Sequence, residues 1–131
     1  MRAVIFFACG LAACGPDLDA MNQVDFAADK DFMIAHIEKH GGIGARFADG
    51  TGPWINKDGS AFWHIPKLSR DGGVWTEVMS MTTEKICFAE SGNWGGGCVS
   101  VFRKDGEFAC KVDWASGRTR TGACEIMSSR W

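Results

Sequence analysis

The sequence predicts a mainly β protein, in which one N-terminal helix is followed by an antiparallel β meander that forms a small barrel or sandwich with two disulfides. Three observations lead to this fold class. Short segments of alternating apolar and polar residues follow Gly42, Asp-Gly pairs recur between them, and four cysteines lie in the C-terminal half of the chain. Asp-Gly is among the strongest hairpin signals, because glycine accepts a positive φ angle.

The segment before the strands predicts the single helix, from about residue 22 to residue 40. Apolar residues within it roughly follow helical spacing, and no glycine or proline interrupts them. Aspartates near its start and Lys39 near its end complement the helix dipole, while Gly41 provides a stop. The β domain is then expected over about residues 44–128.

Seven strands are predicted after the helix, each bounded by a turn signal. The clearest alternation runs through residues 107–114, where Cys110 falls on the apolar face and is expected to point inward. The predicted strands are Ala45–Ala48, Ser60–Ile65, Val74–Met79, Lys85–Ala89, Cys98–Arg103, Glu107–Trp114 and Arg120–Met127.

The N-terminus has the features of an export signal. Arg2 precedes an apolar run, Ala3–Ala13, that is too short to span a bilayer but suits the hydrophobic region of a secretory signal. The run ends at Leu11-Ala12-Ala13-Cys14, which resembles the lipobox of bacterial lipoprotein precursors. The alternative is an ordinary signal peptide that is cleaved between Ala8 and Ala13.

The lipobox resemblance implies a lipid-anchored protein of the cell envelope. Residues 1–13 are then a signal peptide that is removed, and Cys14 carries the lipid, including an acyl chain such as palmitate. Residues 14–21 form a tether, and residues 22–131 form a single globular domain. Since Gly15 is not an aspartate, the family's sorting rule points to the periplasmic face of the outer membrane.

Export assigns different roles to the six cysteines. Cys87, Cys98, Cys110 and Cys124 remain for disulfides in an oxidising compartment, and four cysteines allow three pairings. The pairs Cys87–Cys98 and Cys110–Cys124 are favoured, because each is centred on a glycine-containing turn and would lie directly opposite across its own hairpin. A zinc site or a redox dithiol is not supported, since no Cys-x-x-Cys spacing occurs.

The net charge argues against one functional class, and the order of several short motifs resembles that of a known group of domains. The net charge is −2 at pH 7, which argues against a nucleic-acid-binding protein. The order Trp54, Asp58-Gly59, Trp75, Cys87 and Cys98 resembles a group of uncharacterised secreted β-rich domains from alphaproteobacteria, over about residues 44–110. That resemblance transfers no catalytic residue, and the sequence predicts no cofactor.

Two of the three histidines have a spacing that can bind metal, and the third is a candidate for catalysis. His36 and His40 lie one helical turn apart, a spacing able to bind zinc, but no third ligand is evident and two polar residues near a helix end explain the pair better. His64 is the only histidine of the β region, and no Gly-x-Ser-x-Gly elbow accompanies it.

The ligand-binding candidates are Trp94, Arg118 and Arg120. Trp94 lies in the glycine-rich turn 91–97, and the two arginines flank the tip of a neighbouring hairpin. Aromatic residues exposed on loops often bind ligands. The alternative, which the sequence slightly favours, is that Trp94 folds back over the Cys87–Cys98 bridge.

These observations predict a lipid-anchored periplasmic binding or envelope-accessory module without catalysis, with an inhibitor as one form of it. The expected partners are the membrane, reached through the lipid, and an envelope protein or glycan. The alternative function is a small periplasmic hydrolase that uses His64 and nearby carboxylates. Substitution of Trp94 or Arg120 is expected to leave the fold nearly unchanged.

Overall fold

The computed structural model describes residues 17–25, 30–66, 72–92 and 94–129. The predicted signal peptide, Cys14 and the first residues of the predicted tether lie outside these ranges. A 3₁₀ turn at Leu18–Ala20 precedes the other elements. These are helix α1 (Lys30–His40) and the strands β1 (Asn22–Gln23), β2 (Gly42–Phe47), β3 (Gly52–Asn56), β4 (Ser60–His64), β5 (Gly73–Met81), β6 (Ile86–Phe88), β7 (Gly97–Lys104), β8 (Glu107–Trp114) and β9 (Thr119–Met127).

Strands β2 to β9 form a closed antiparallel barrel. Each of these strands pairs with its neighbour in the chain, and β9 returns to pair with β2, where Phe47 lies opposite Cys124. Closure removes the exposed strand edges that an open sheet would leave. The predicted mainly β meander is therefore confirmed, and of the two predicted architectures the barrel is the one that forms.

Large side chains fill the middle of the barrel. Trp63, Phe88 and Val112 are the largest side chains that are fully buried. The rings of Trp63 and Phe88 meet edge to face, with their centroids 5.6 Å apart. An eight-stranded barrel encloses a space that side chains can just fill, so this layer separates the two ends of the barrel.

Helix α1 closes one end of the barrel, which we call the capped end. Met33 is buried in the same core cluster as Ile43 at the start of β2. The helix ends at Gly41, whose φ angle of 79° allows its N–H to donate to the Ile37 carbonyl at 2.7 Å, so the predicted stop is confirmed. Among the described residues, no helix is long and apolar enough to cross a membrane.

The described part of the helix begins at Lys30, and the prediction of helix from about residue 22 is wrong for Asn22–Gln23, which form β1. The cause is tertiary: β6 covers β7 only as far as Val99, and β1 pairs with the edge of β7 beyond that point. The side-chain amide of Gln23 also donates to the Glu84 carbonyl at 2.7 Å, which holds β1 in place.

Strand β3 is absent from the prediction, and β2 begins at Gly42 rather than at Ala45. From sequence, the glycines of β2 indicate a turn. In the structure they leave room on the outer face of the barrel for the indole of Trp54, which is only 4% exposed. A Cβ atom on Gly44 would lie 2.9 Å from Trp54 Cε3. A tryptophan from the neighbouring strand therefore explains why glycines occupy a strand here.

Both predicted disulfides are present. Cys87–Cys98 joins β6 to β7, and its residues face each other in the register on the outer face, so we call it the outer bridge. Cys110–Cys124 joins β8 to β9, and Cys110 is 2% exposed, as its predicted inward direction requires; this is the inner bridge. The expectation of directly opposite residues is wrong for the inner bridge, which crosses diagonally because Cys124 lies opposite Phe108.

Three of the Asp-Gly pairs lie in hairpin turns, after β2, β3 and β7, and their glycines have positive φ angles as predicted. In the fourth pair, Asp71 lies outside the described residues. Turn signals thus mark both ends of the barrel, and the connections after β2, β4, β6 and β8 gather at the end opposite α1.

Candidate functional site

The end of the barrel opposite α1 holds a cavity of about 600 Å³, which we call the mouth. Its lining includes all three predicted binding residues, Trp94, Arg118 and Arg120, together with Trp114 and Asp49. Small-ligand sites occupy roughly 300–1,000 Å³, so the mouth has the volume of a binding site.

A tight turn positions Trp94 at the mouth. The backbone N–H of Ser91 donates to the Trp94 carbonyl at 2.9 Å, and the Trp94 N–H donates to the Ser91 carbonyl at 2.9 Å. The indole packs on Trp63, with ring centroids 5.5 Å apart, and is partly buried. Trp94 therefore folds back, but onto the interior of the barrel instead of onto the outer bridge.

Two indole N–H groups near this end of the barrel are unused. Those of Trp63 and Trp94 are buried and have no hydrogen-bond acceptor among the described residues. Buried indole donors usually have a partner. Trp94 lines the mouth, but its indole N–H is buried beneath the surface of the described residues.

The turn between β8 and β9 places an arginine over a tryptophan. The backbone N–H of Trp114 donates to the Arg118 carbonyl at 2.9 Å, and the backbone N–H of Gly117 donates to the Trp114 carbonyl at 2.8 Å. Arg118 Cζ lies 5.9 Å from the centroid of the Trp114 ring, within the range of a cation–π contact. The Arg118 side chain is exposed and has no carboxylate partner among the described residues.

Arg120 projects into the barrel from β9, since it lies opposite the buried residue Val112. Its guanidinium lies over the Phe47 ring, 4.0 Å from the centroid, and its Nη1 donates to Asp49 Oδ2 at 3.1 Å. The side chains of Arg120 and Asp49 are 36% and 44% exposed. This ion pair forms part of the cavity wall, where the Asp49 carboxylate offsets the positive charge of Arg120.

Asp49 is ionised at neutral pH. Partial burial acts to raise its pKa, but hydrogen bonds from Thr51 and the Arg120 guanidinium outweigh this effect and lower the pKa from 3.8 to about 2. The Thr51 backbone N–H donates to Asp49 Oδ1 at 2.9 Å. Because Arg118 and Arg120 each carry a positive charge and Asp49 carries a negative one, the described lining of the mouth has one net positive charge.

His64 lies on the outer wall and does not line the mouth. Its ring is 6.4 Å from that of Phe62, and its Nδ1–H donates to the Gly50 carbonyl at 2.9 Å. This bond attaches the β2–β3 loop, which carries Asp49, to the barrel wall. His64 therefore supports the loop that places Asp49 beside Arg120.

His36 and His40 are close, with ring centroids 4.7 Å apart. The Nε2–H of His36 donates to the Met127 carbonyl at 3.0 Å, which attaches α1 to the end of β9. Within the described ranges, no group of three or more metal-ligating side chains could hold an ion. The described surroundings of this pair therefore indicate a role in attaching the helix.

A second cavity lies at the capped end, below Met33 and between Ile43 and Ile55. Its volume is about 60 Å³, and its walls are almost entirely apolar. This volume is far below the roughly 300 Å³ at which small-ligand sites begin. We interpret it as a gap in core packing.

No protein-family model, curated protein or solved structure matches the chain.

Sequence reasoning missed Asp49 and Trp114, whose side chains are a charged and an aromatic part of the lining. Trp114 had a usable signal, because the alternation in β8 places it on the inward face next to the candidate Arg118. Asp49 had none, because it is 71 residues from Arg120 in the chain and meets it only when β9 closes against β2.

Proposed function

We propose that this protein is a binding module without catalytic activity that takes up its ligand at the mouth. The observation that carries the proposal is the convergence of Trp94, Arg118 and Arg120 in one cavity of about 600 Å³. Aromatic faces beside guanidinium groups suit a glycan, a lipid headgroup or a protein segment of the cell envelope. With a protein segment as ligand, the module would act as an inhibitor or accessory factor.

Hydrolysis is the alternative, and the described geometry favours it less. A general base has to lie within hydrogen-bond reach of the reacting group. His64 lies on the outer wall and donates to the Gly50 carbonyl, so it is placed to hold a loop rather than to meet a ligand in the mouth.

We also propose lipid attachment at Cys14, on the periplasmic face of the outer membrane. The described chain begins at Asp17, and β1 then runs along the part of β7 nearest the capped end. The three residues from Cys14 to Asp17 span at most about 10 Å. A lipid on Cys14 would therefore keep the capped end at the membrane and direct the mouth away from it. The two disulfides suit an oxidising compartment.

Fractionation of cells that express the full chain tests the anchor. Cys14→Ser should move the protein from the membrane fraction to the soluble periplasmic fraction, because it removes the thiol that carries the lipid. Cys9→Ser is the matched control, since it changes a cysteine of the predicted signal peptide and should leave the protein in the membrane. A wild-type protein that is already soluble, with an N-terminus other than residue 14, would contradict the anchor.

Native mass spectrometry of the soluble Cys14→Ser protein, incubated with an envelope extract, tests binding at the mouth. We expect a ligand adduct that Arg118→Gln weakens and Trp94→Phe reduces. Trp75→Phe is the matched control, because Trp75 lies on the outer wall with 55% of its surface exposed and should keep the adduct. An adduct that is indifferent to both mouth variants would place binding elsewhere.

A further inference from the structure

We infer that the part of the ligand that enters the mouth combines one negative charge with a flat apolar group. The inference rests on the proposed function and specifies the chemical class of its ligand. It follows from the balance of charges in the lining and from the placement of the two tryptophans.

The charge balance selects a single negative charge. Arg120 already donates to Asp49 at 3.1 Å, so its charge is offset within the wall. Arg118 has no carboxylate partner among the described residues and is exposed. A monoanion can accept a charge-assisted hydrogen bond from Arg118. A second negative charge would be repelled by the Asp49 carboxylate, and a cation would be repelled by Arg118.

The tryptophans select a flat apolar group. Trp94 is held in place by its contact with Trp63, and Trp114 carries the Arg118 guanidinium 5.9 Å from its ring centroid. Both indoles line the same cavity. A flat apolar group packed against these rings places an attached anionic group within reach of Arg118.

Two fluorescent dyes test the inference directly. Anilinonaphthalene sulfonate and phenylnaphthylamine share the same apolar rings and differ by one sulfonate, so their affinities report the contribution of a single negative charge. Titrated into the Cys14→Ser protein at low salt, the sulfonate is expected to bind about tenfold more tightly, as one charge-assisted hydrogen bond provides. Its advantage should shrink as salt is added, because salt screens exposed charges.

Two substitutions locate the effect. Arg118→Gln should lower the affinity for the sulfonate about tenfold and leave that for the neutral dye within about twofold. Lys57→Gln is the matched control, because Lys57 is an exposed cation of the β3–β4 turn at the capped end. It should change the affinity for neither dye. A naphthalene dye with a second sulfonate should bind no more tightly than the monosulfonate.

The outcomes distinguish this inference from the proposed function. Equal affinities for the two dyes, both lowered by Trp94→Phe, would retain the mouth as a binding site and overturn the requirement for an anion. Tighter binding of the disulfonate would overturn the requirement for one charge. If neither dye binds, or if Trp94→Phe and Arg118→Gln leave dye binding unchanged, the inference is wrong, and the adduct measured by native mass spectrometry decides the proposed function separately.

Discussion

Replacing Asp49 with asparagine should have two opposite effects, since it should destabilise the barrel and strengthen the binding of an anion at the mouth. Asparagine keeps an oxygen that can accept the Thr51 N–H, which lies 2.9 Å from Asp49 Oδ1. The substitution therefore removes mainly the negative charge that faces Arg120 at 3.1 Å.

The loss of stability follows from the ionisation of Asp49. Its pKa is lowered from 3.8 to about 2 in the folded protein, so folding favours the charged form. Because 44% of the side chain is exposed, solvent screening limits this contribution to about 1 kcal/mol. Since the folded pKa is the lower one, the contribution is complete above pH 3.8 and is lost as the pH falls to about 2.

Urea denaturation followed by tryptophan fluorescence measures this loss. At neutral pH, Asp49→Asn should lower the free energy of unfolding by about 1 kcal/mol, and the difference should disappear as the pH approaches the folded pKa of about 2. In an Arg120→Gln background, Asp49→Asn should lower the free energy of unfolding much less, because the guanidinium that pairs with the Asp49 carboxylate is already absent.

Dye binding measures the second effect. Without the Asp49 carboxylate, Arg120 gives the mouth a second unpaired positive charge, so the affinity for anilinonaphthalene sulfonate should rise about threefold at low salt. The affinity for the neutral dye should stay the same. A variant as stable as the wild type at neutral pH, or one that binds the sulfonate more weakly, would show that the Asp49–Arg120 pair does not have this double role.

Four further changes to the chain test the packing. Serine at both positions of the inner bridge should lower the free energy of unfolding by about 3 kcal/mol, measured by urea denaturation without reductant. Trp94→Ala should lower the free energy of unfolding by about 2–3 kcal/mol. Trp75→Ala, on the exposed outer wall, should lower it by about 1 kcal/mol or less. Equal losses for the two variants would contradict the packing of Trp94 on the core. Gly44→Ala should cost about 1–3 kcal/mol in the same assay, because its Cβ would crowd the neighbouring indole.

The prediction for Trp94 shows how the structure changes an expectation from sequence. From sequence, a tryptophan among glycines is expected to tolerate replacement by alanine without loss of fold. In the structure its indole packs 5.5 Å from that of Trp63, which is fully buried. The same applies to Arg120, whose guanidinium covers Phe47 and pairs with Asp49. Both residues therefore support the fold as well as line the mouth.

Local signals in the sequence were sufficient for three hairpin turns and for the two bridges. The two-residue alternation through β8 predicted its bounds and the inward direction of Cys110. Asp-Gly pairs marked three hairpin turns, because glycine is the residue that adopts positive φ without strain. The spacing of the cysteines around glycine-containing turns predicted both disulfides. Each of these signals acts over a few neighbouring residues, so the order of the residues is enough to reveal it.

Contacts between strands decided the remaining features, because signals within a single segment of the sequence do not reveal them. Asn22–Gln23 form a strand only because β6 leaves part of β7 uncovered, and the glycines of β2 form one because Trp54 packs on them. The mouth has the same origin. Asp49 and Arg120 meet across the β2–β9 pairing that closes the barrel, and this long-range pairing brings a turn residue and a strand residue together into one site.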